Sequence, residues 1–390
     1  MSPFKIDARD GSARAGVLVT NHGDVHTPAF VPLATSATVK TLHSAEVAAL
    51  GYEMVLGNTF HLFIRPGHEH IARMGGLHEF MAWRRPIITD SGGFQVFSMG
   101  HGSVADEIKG RRGQRESRIL SIDEEGVRFQ SYDDGSERFM GPETSMEVQA
   151  MLGSDIALAF DECTPFHVDR EYTARSTART HRWLDRCIDW QRANATEGQM
   201  LYGIVQGGVY EDLRIESAER VASSDVDGVA VGGSLGQEKA QMHEVVEWGL
   251  RPVREEQPRH LLGIGDVDDI LHAVAAGIDR FDCATPTRLG RHGTALVPDP
   301  ETRWRLDLTK PEWRESREPI ADGCPCQACQ DHTRGYLHYL ARARELTAAR
   351  LITLHNLTFM ALLMKQIREA VEGGALAAYS AEVLAGQKPY

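Results

Sequence analysis

The chain has 390 residues, 42% of them hydrophobic and 25% charged, which excludes a collagenous or disordered chain and suits one barrel with insertions or two domains. The formal net charge of −13 argues against nucleic acid as a partner on global charge alone, so any such binding must rest on a local basic face. No apolar run in the sequence approaches the roughly 20 residues of a membrane helix, and the N-terminus lacks the apolar core of a signal peptide.

From about residue 30 to 290 one pattern repeats: an apolar run, polar or glycine residues, then a helical stretch. The runs are AFVPLA (29–34), EMVLGNT (53–59), PIITDSGG (86–93), DIALAFDE (155–162), LYGIVQGG (201–208), DGVAVGG (227–233), RHLLGIG (259–265) and RFDCATP (280–286). Each is short and nearly continuous in apolar residues, as a strand buried on both faces should be. The intervening stretches, such as EYTARSTARTHRWLDRCIDWQRA and VDDILHAVAAG, have helical spacing. Eight such alternations predict parallel pairing and a closed (β/α)8 barrel over residues 1–295; a doubly wound open sheet is the alternative.

One insertion interrupts the third and fourth units, at about 104–140. Its EEG and DDG tripeptides between alternating runs predict a small antiparallel excursion. After residue 295 the pattern changes to a polar stretch, a cysteine cluster and helices from about Thr333 to Gly373 and near Ala377–Gly386. Residues 296–390 therefore read as an appended subdomain.

The ends of the predicted strands carry Asn58, Asp90, Asp161 with Glu162, Gln206, the pair Gly232 and Gly233, the pair Gly263 and Gly265, and Asp282. In a barrel of this kind the catalytic groups project from these ends. One such residue has a bland reading as a helix cap or a loop hydrogen bonder, but the set together predicts a catalytic or ligand-binding mouth. Ser91-Gly92-Gly93, Gly207-Gly208 and Gly232-Gly233 permit close backbone approach to a planar ligand. Phe94 follows at once and offers a ring to stack on it, or else a core aromatic.

Local basic clusters occur at Arg111, Arg112 and Arg115, at Arg288 and Arg291, and at Arg303 and Arg305. They read either as solvated surface or as a nucleic-acid face. Of six cysteines, Cys324, Cys326 and Cys329 lie within six positions, a spacing that favours zinc over disulfides. A structural zinc needs a fourth ligand. His355, His332, His338 and Asp331 compete for that place.

At this point the motifs resemble a known family. GNTFHLFIRPG (57–67), TDSGGFQVFS (89–98), FDEC (160–163), GIVQGG (203–208), FDCATPTRLGRHG (281–293), CPCQAC (324–329) and LITLHNL (351–357) are similar to the tRNA-guanine transglycosylases, also called queuine tRNA-ribosyltransferases, over nearly the whole chain. The resemblance implies a zinc-containing barrel enzyme. It would replace guanine at the wobble position of G-U-N anticodons with a 7-aminomethyl-7-deazaguanine base, for queuosine biosynthesis. It implies Asp282 as nucleophile and Asp90 as general acid/base. It implies base contacts from Ser91, Gly92, Gly93, Phe94, Asp161, Gln206, Gly232, Gly233 and Leu262. It implies RNA contacts from Gly263, Ile264, Gly265, Asp266, Val267, Asp268 and Asp269, and from Thr287, Arg288, Leu289, Gly290 and Arg291. It implies zinc on Cys324, Cys326, Cys329 and His355. A tRNA partner, a homodimer, no membrane and a cytoplasmic location are expected.

The chain departs from many bacterial members at Phe94 (Tyr there), at Leu262 (Met there) and over Ser234–Glu238, where Gly236 occupies a position that is otherwise Val. Cys163 is the bacterial-type residue. The small Gly236 raises the expectation that the larger base queuine is also admitted. A non-catalytic tRNA-binding subunit is a rival, opposed by the presence of both Asp90 and Asp282. An ordinary glycoside hydrolase is another, and it would have no use for the cysteine cluster or the TPTRLGRHG loop.

Overall fold

The computed structural model describes residues 3–100, 118–164, 168–194, 198–233, 235, 236 and 238–390. Arg111, Arg112, Arg115, Ser234, Gln237 and the first part of the expected insertion lie outside the described residues.

Eight parallel strands close into a barrel in chain order: β4 (Ala29–Ala34), β5 (Val55–Gly57), β6 (Ile87–Thr89), β10 (Ile156–Leu158), β11 (Met200–Val205), β12 (Gly228–Val231), β13 (Arg259–Leu261) and β14 (Arg280–Cys283), which pairs back onto β4. Each expected apolar run contributes one strand. The open sheet is thereby excluded: Asp282 pairs with Val31 and Phe281 with Phe30, closing the circle. The helical stretches form as Ser44–Ala49, Arg170–Asn194, Glu211–Ser223, Lys239–Leu250 and Val267–Ala275.

Alternation along each strand decides what fills the barrel. Val31, Leu56, Ile88, Ile156, Leu158, Tyr202, Ile204 and Ala230 form one interior cluster. Phe30, Val55, Ile87, Val231, Leu261 and Phe281 point outward into the cluster shared with the helices. Phe4, Leu18 and Val25 join the interior cluster from a sheet that the sequence pattern did not announce: β1 (Phe4–Asp10), β2 (Ala13–Thr20) and β3 (Gly23–Thr27), antiparallel. This sheet plugs the N-terminal end of the barrel, so only the opposite end is free to hold a site.

The insertion contains β7 (Ile119–Ile122), β8 (Val127–Gln130) and β9 (Glu137–Met140) as an antiparallel sheet, with turns at Glu124–Gly126 and Asp133–Gly135, where the tripeptides lie. Glu124 anchors it to helix Arg170–Asn194: its carboxylate pairs with Arg179 and Arg182, and its carbonyl accepts from Trp183 Nε1 at 2.8 Å. These cations hold the Glu124 carboxyl down at about 2.

Beyond the barrel strands lie β15 (Thr294–Leu296) paired with β16 (Arg305–Asp307), then helices Arg334–Ala343, Leu346–Glu372 and Leu376–Leu384. Helix Leu346–Glu372 is long and apolar enough to cross a membrane, but 67% of its most apolar window is buried inside the protein. Leu357, Met360, Leu363 and Ile367 share a cluster with Phe30 and Phe281, so the apolar composition serves packing against the barrel wall.

Candidate active site

The strand ends converge as expected. Asp90 follows β6, and three groups hold it: Asn58 Nδ2 donates to Oδ2, Thr59 N–H donates to Oδ1 at 2.8 Å, and Asp90 N–H donates to Gly57 O at 3.2 Å. Asn58 also caps helix Thr59–Ile64 by accepting from His61 N–H. One cap thus seats both the helix and the carboxylate. Burial pushes the Asp90 carboxyl up to about 7. The Thr59 N–H opposes the shift, and the charge of Asp282 adds to it. A carboxyl titrating there gives and takes protons near neutral pH.

Asp282 lies on β14, pointing into the barrel mouth and 7% exposed. His260 Nε2 stands 2.9 Å from its Oδ1, and Gly263 N–H donates to the same oxygen at 3.3 Å.

Asp161 is 4% exposed and lies among donors: Ser91 Oγ donates to Oδ1 at 2.6 Å and Gln206 Nε2 to Oδ2 at 2.6 Å. Burial lifts its carboxyl to about 6 against those hydrogen bonds. The adjacent Glu162 turns the other way, taking Tyr172 OH at 2.7 Å and Arg179 Nη1 at 2.6 Å. Only one of this carboxylate pair therefore serves the mouth.

The glycines are tightly enclosed. A Cβ on Gly93 would lie 2.7 Å from Asp161 Oδ1, and one on Gly233, at φ +76°, would overlap Gln206 Oε1. That oxygen is buried without a partner among the described residues. Gly232 packs on Ile204, Leu262 and Gln206. Ser91, Gly93, Asp161, Gln206, Gly232, Gly233 and Leu262 are thus joined by a run of contacts, and Phe94, which follows Gly93 in the chain, is 46% exposed. Gly92 takes φ +82° beside Met140 of the inserted sheet, which links the excursion to the site wall.

The two expected RNA segments behave unevenly. Gly263, Ile264, Asp266 and Asp268 reach the surface, whereas Gly265, Val267 and Asp269 are buried. Lys239 Nζ holds Asp268 at 2.6 Å and Asp269 at 3.1 Å, and Arg305 holds Asp266 at 3.0 Å. In helix Thr285–Arg291, Arg288 is exposed and Leu289 and Arg291 are half-buried, but Thr287 and Gly290 are buried, Gly290 against Thr353. The basic pair faces out because the small residues face the long helix.

Some supporting residues carried no sequence signal that set them apart. Arg214 is wholly buried and donates to Gly208 O at 2.7 Å, Val205 O at 3.0 Å and Gly232 O at 2.8 Å, tying the end of β11 to that of β12. Burial draws its guanidinium down to about 9, still a cation at neutral pH. Gln149 serves β10, accepting from Leu158 N–H and donating to Leu158 O, both at 2.9 Å. His260 offered one faint mark, a histidine inside an otherwise apolar run.

Cys324, Cys326, Cys329 and His355 are buried with ligand atoms within 4.8 Å of one another. The three Sγ atoms lie 3.6, 3.4 and 3.3 Å from His355 Nδ1. A tetrahedral metal with bonds of about 2.3 Å to sulfur and 2.0 Å to nitrogen requires edges of about 3.5 Å. His355 Nε2 donates to Leu296 O at 2.7 Å, leaving Nδ1 for the metal. Of its competitors, His338 Nδ1 is engaged by Leu308 O at 2.9 Å, and His332 packs against Tyr336. The group can hold a metal ion. His22, His78 and Asp155 also come together, but the two rings stack within 18° at 3.6 Å. The Asp155 carboxylate faces both rings, with His22 Nδ1 at 2.8 Å and His78 Nε2 at 3.4 Å.

Fold and site define a (β/α)8-barrel enzyme with carboxylates at its mouth. The family described as queuine tRNA-ribosyltransferase matches residues 9–389. The queuine tRNA-ribosyltransferase of Roseiflexus sp. (strain RS-1) is 49% identical over 98% of both chains. That of Pelotomaculum thermopropionicum is 46% identical over 96% of this chain and 95% of its own. The Clostridium perfringens (strain 13 / Type A) protein is 44% identical over 98% and 97%. The chain belongs to the queuine tRNA-ribosyltransferase family and is a pentosyltransferase of the tRNA-guanine transglycosylase type.

Proposed function

We propose that the enzyme replaces guanine at the wobble position of G-U-N anticodons with 7-aminomethyl-7-deazaguanine by double displacement. The observation that carries this is the pair Asp90 and Asp282 on the mouth of one barrel, one carboxyl lifted to about 7 and close enough to feel the other's charge. The free oxygen of Asp282 attacks the ribose C1′, and the C1′–N9 bond breaks. Its electron pair leaves with guanine, whose N9 takes the proton from Asp90. Asp90, now ionised, removes the proton from N9 of the incoming base. That nitrogen attacks C1′ and releases Asp282, so two inversions retain configuration. The target nucleotide must leave its stack to reach Asp282. Asp161, Gln206 and the Gly233 N–H read the base edge, and Phe94 stacks on the ring.

RNA contact is assigned to the exposed parts of Gly263–Asp269 and to Arg288 and Arg291. A zinc ion on Cys324, Cys326, Cys329 and His355, closed by four protein ligands, has a structural role. Cys163, Cys187 and Cys283 are free thiols and the other three cysteines face the metal group, which supports a reducing, cytoplasmic location. The exposed Tyr336, Tyr339 and Leu346 support a homodimer.

The second reading is that queuine serves as incoming base. The names of the relatives and the glycine at 236 favour it. Against it, Gly236 has φ +105° beside Gln241, so the backbone alone calls for glycine there. The test is exchange into unmodified G-U-N tRNA with each labelled base, alongside Asp282→Asn. Wild type should form a covalent RNA adduct when base is withheld and Asp282→Asn should not; an adduct surviving in the variant overturns the nucleophile assignment.

A further inference from the structure

We infer that His260 is a positioning residue for Asp282, holding one carboxylate oxygen as a neutral donor so that the other attacks with its full charge. This rests on Asp282 being the nucleophile. Neighbouring strands β13 and β14 set the geometry: His260 pairs in register with Arg280, and both face the barrel interior with Asp282. His260 is wholly buried, and its Nε2 lies 2.9 Å from Asp282 Oδ1. Gly263 N–H meets the same oxygen. Oδ2 has no donor among the described residues, so the anchored and the reactive oxygen are already distinguished in the free site.

The protonation state follows from what surrounds the ring. Nδ1 is buried without a partner among the described residues. A bare ring nitrogen there is tolerated more readily than an unpaired N–H, which places the single proton on Nε2, facing Asp282. Arg280 lies in the layer beneath, donating to Tyr202 OH at 2.6 Å and contacting Met54 Sδ at 3.6 Å. This buried cation opposes a second one on the imidazole. Asp279, the nearby carboxylate, is engaged by Arg14 at 2.6 Å. Burial lowers the basicity of His260; Asp282 opposes that and Arg280 reinforces it. A neutral imidazole fixes the carboxylate without neutralising it, as an imidazolium would.

His260→Phe keeps an aromatic ring and removes the donor; His260→Gln restores a donor. Single-turnover adduct formation with base withheld should slow on the order of 10- to 100-fold in His260→Phe, as expected for a misplaced reacting group. KM for tRNA should be unchanged, and His260→Gln should recover much of the rate. A loss equal in rate and KM, or a Gln variant as slow as Phe, would overturn the proposal. Should His260→Phe fail to fold, 15N NMR of the wild-type ring, assigned by its shift in Asp282→Asn, decides the matter. An Nε2–H ring that does not titrate between about pH 5.5 and 8.5 supports the proposal; a ring protonated on Nδ1 in that range overturns it. If the adduct vanishes in Asp282→Asn but forms normally in His260→Phe, this inference alone falls. If it persists in Asp282→Asn, the nucleophile assignment itself falls.

Discussion

Gln206 Nε2 donates to Asp161 Oδ2 at 2.6 Å, so the amide and the carboxylate assigned to the base edge are joined before any base arrives. The other face of that amide, Oε1, has no partner among the described residues and lies against Gly233. A base entering the cleft exchanges these contacts for its own, which makes selection depend on the charge of Asp161. That carboxyl titrates at about 6. KM for the incoming base should therefore rise as pH falls through about 6, where Asp161 takes up a proton and loses an acceptor. Asp161→Asn should cut the preference for guanine over adenine by about 10- to 100-fold, the range set by one buried unpaired group. Competition between labelled bases measures both effects.

Asp90 gives opposite pH dependences to the two halves of the reaction. Expelling guanine needs the protonated carboxyl, and capturing the new base needs the carboxylate. With its titration at about 7, adduct formation should slow as pH rises through 7 while base capture quickens. Rapid-quench measurements of the two half-reactions separate these limbs.

The same shift predicts a stability effect. The folded-state value lies above the ordinary carboxylate value of 3.8, so the native chain binds the extra proton between about pH 4 and 7. The associated stability is present below that window and is lost as pH rises through it. Asp90→Asn should consequently melt higher than wild type at pH 8, and the advantage should shrink toward pH 5. Thermal melts at the two pH values test this.

Removing the metal should unfold the C-terminal elements before it alters chemistry. His355 joins helix Leu346–Glu372 to β15 through Leu296 O, and the same helix covers the barrel wall. His355→Ala should lower the melting temperature and release zinc, with the remaining folded fraction fully active per molecule. A metal-free protein that melts at the wild-type temperature, or a stably folded one that has lost only its activity, would contradict the structural role.

Arg214 supports three carbonyls at the ends of β11 and β12. Arg214→Met should destabilise by about 2–4 kcal/mol, because buried carbonyls lose their donors. It should also raise KM for the base, because Gly232 and Gly233 lose their tether. Denaturant titration and base-exchange kinetics read the two consequences.

How much was legible follows from the length scale of each signal. The barrel was readable because each strand is buried on both faces, and eight such runs alternate with helices of their own period. The β1–β3 plug was not, since Phe4, Leu18 and Val25 act only together with the barrel interior they close. Asp161 and Glu162 looked equivalent in the chain, and only their donors separate them. Val267, Asp269, Thr287 and Gly290 belonged to segments read as RNA-contacting, yet their side chains are buried.

By itself the sequence determined the strand count, the residue types at the strand ends and the three-cysteine cluster, because these are local properties of spacing and composition. Only the tertiary structure decided that β14 closes onto β4, that His355 rather than His338 meets the cysteines, and that His260 and Gly263 hold one oxygen of Asp282 while leaving the other free. Each of those is a contact between segments far apart in the chain or on neighbouring strands. Its geometry exists only once barrel closure has set the register.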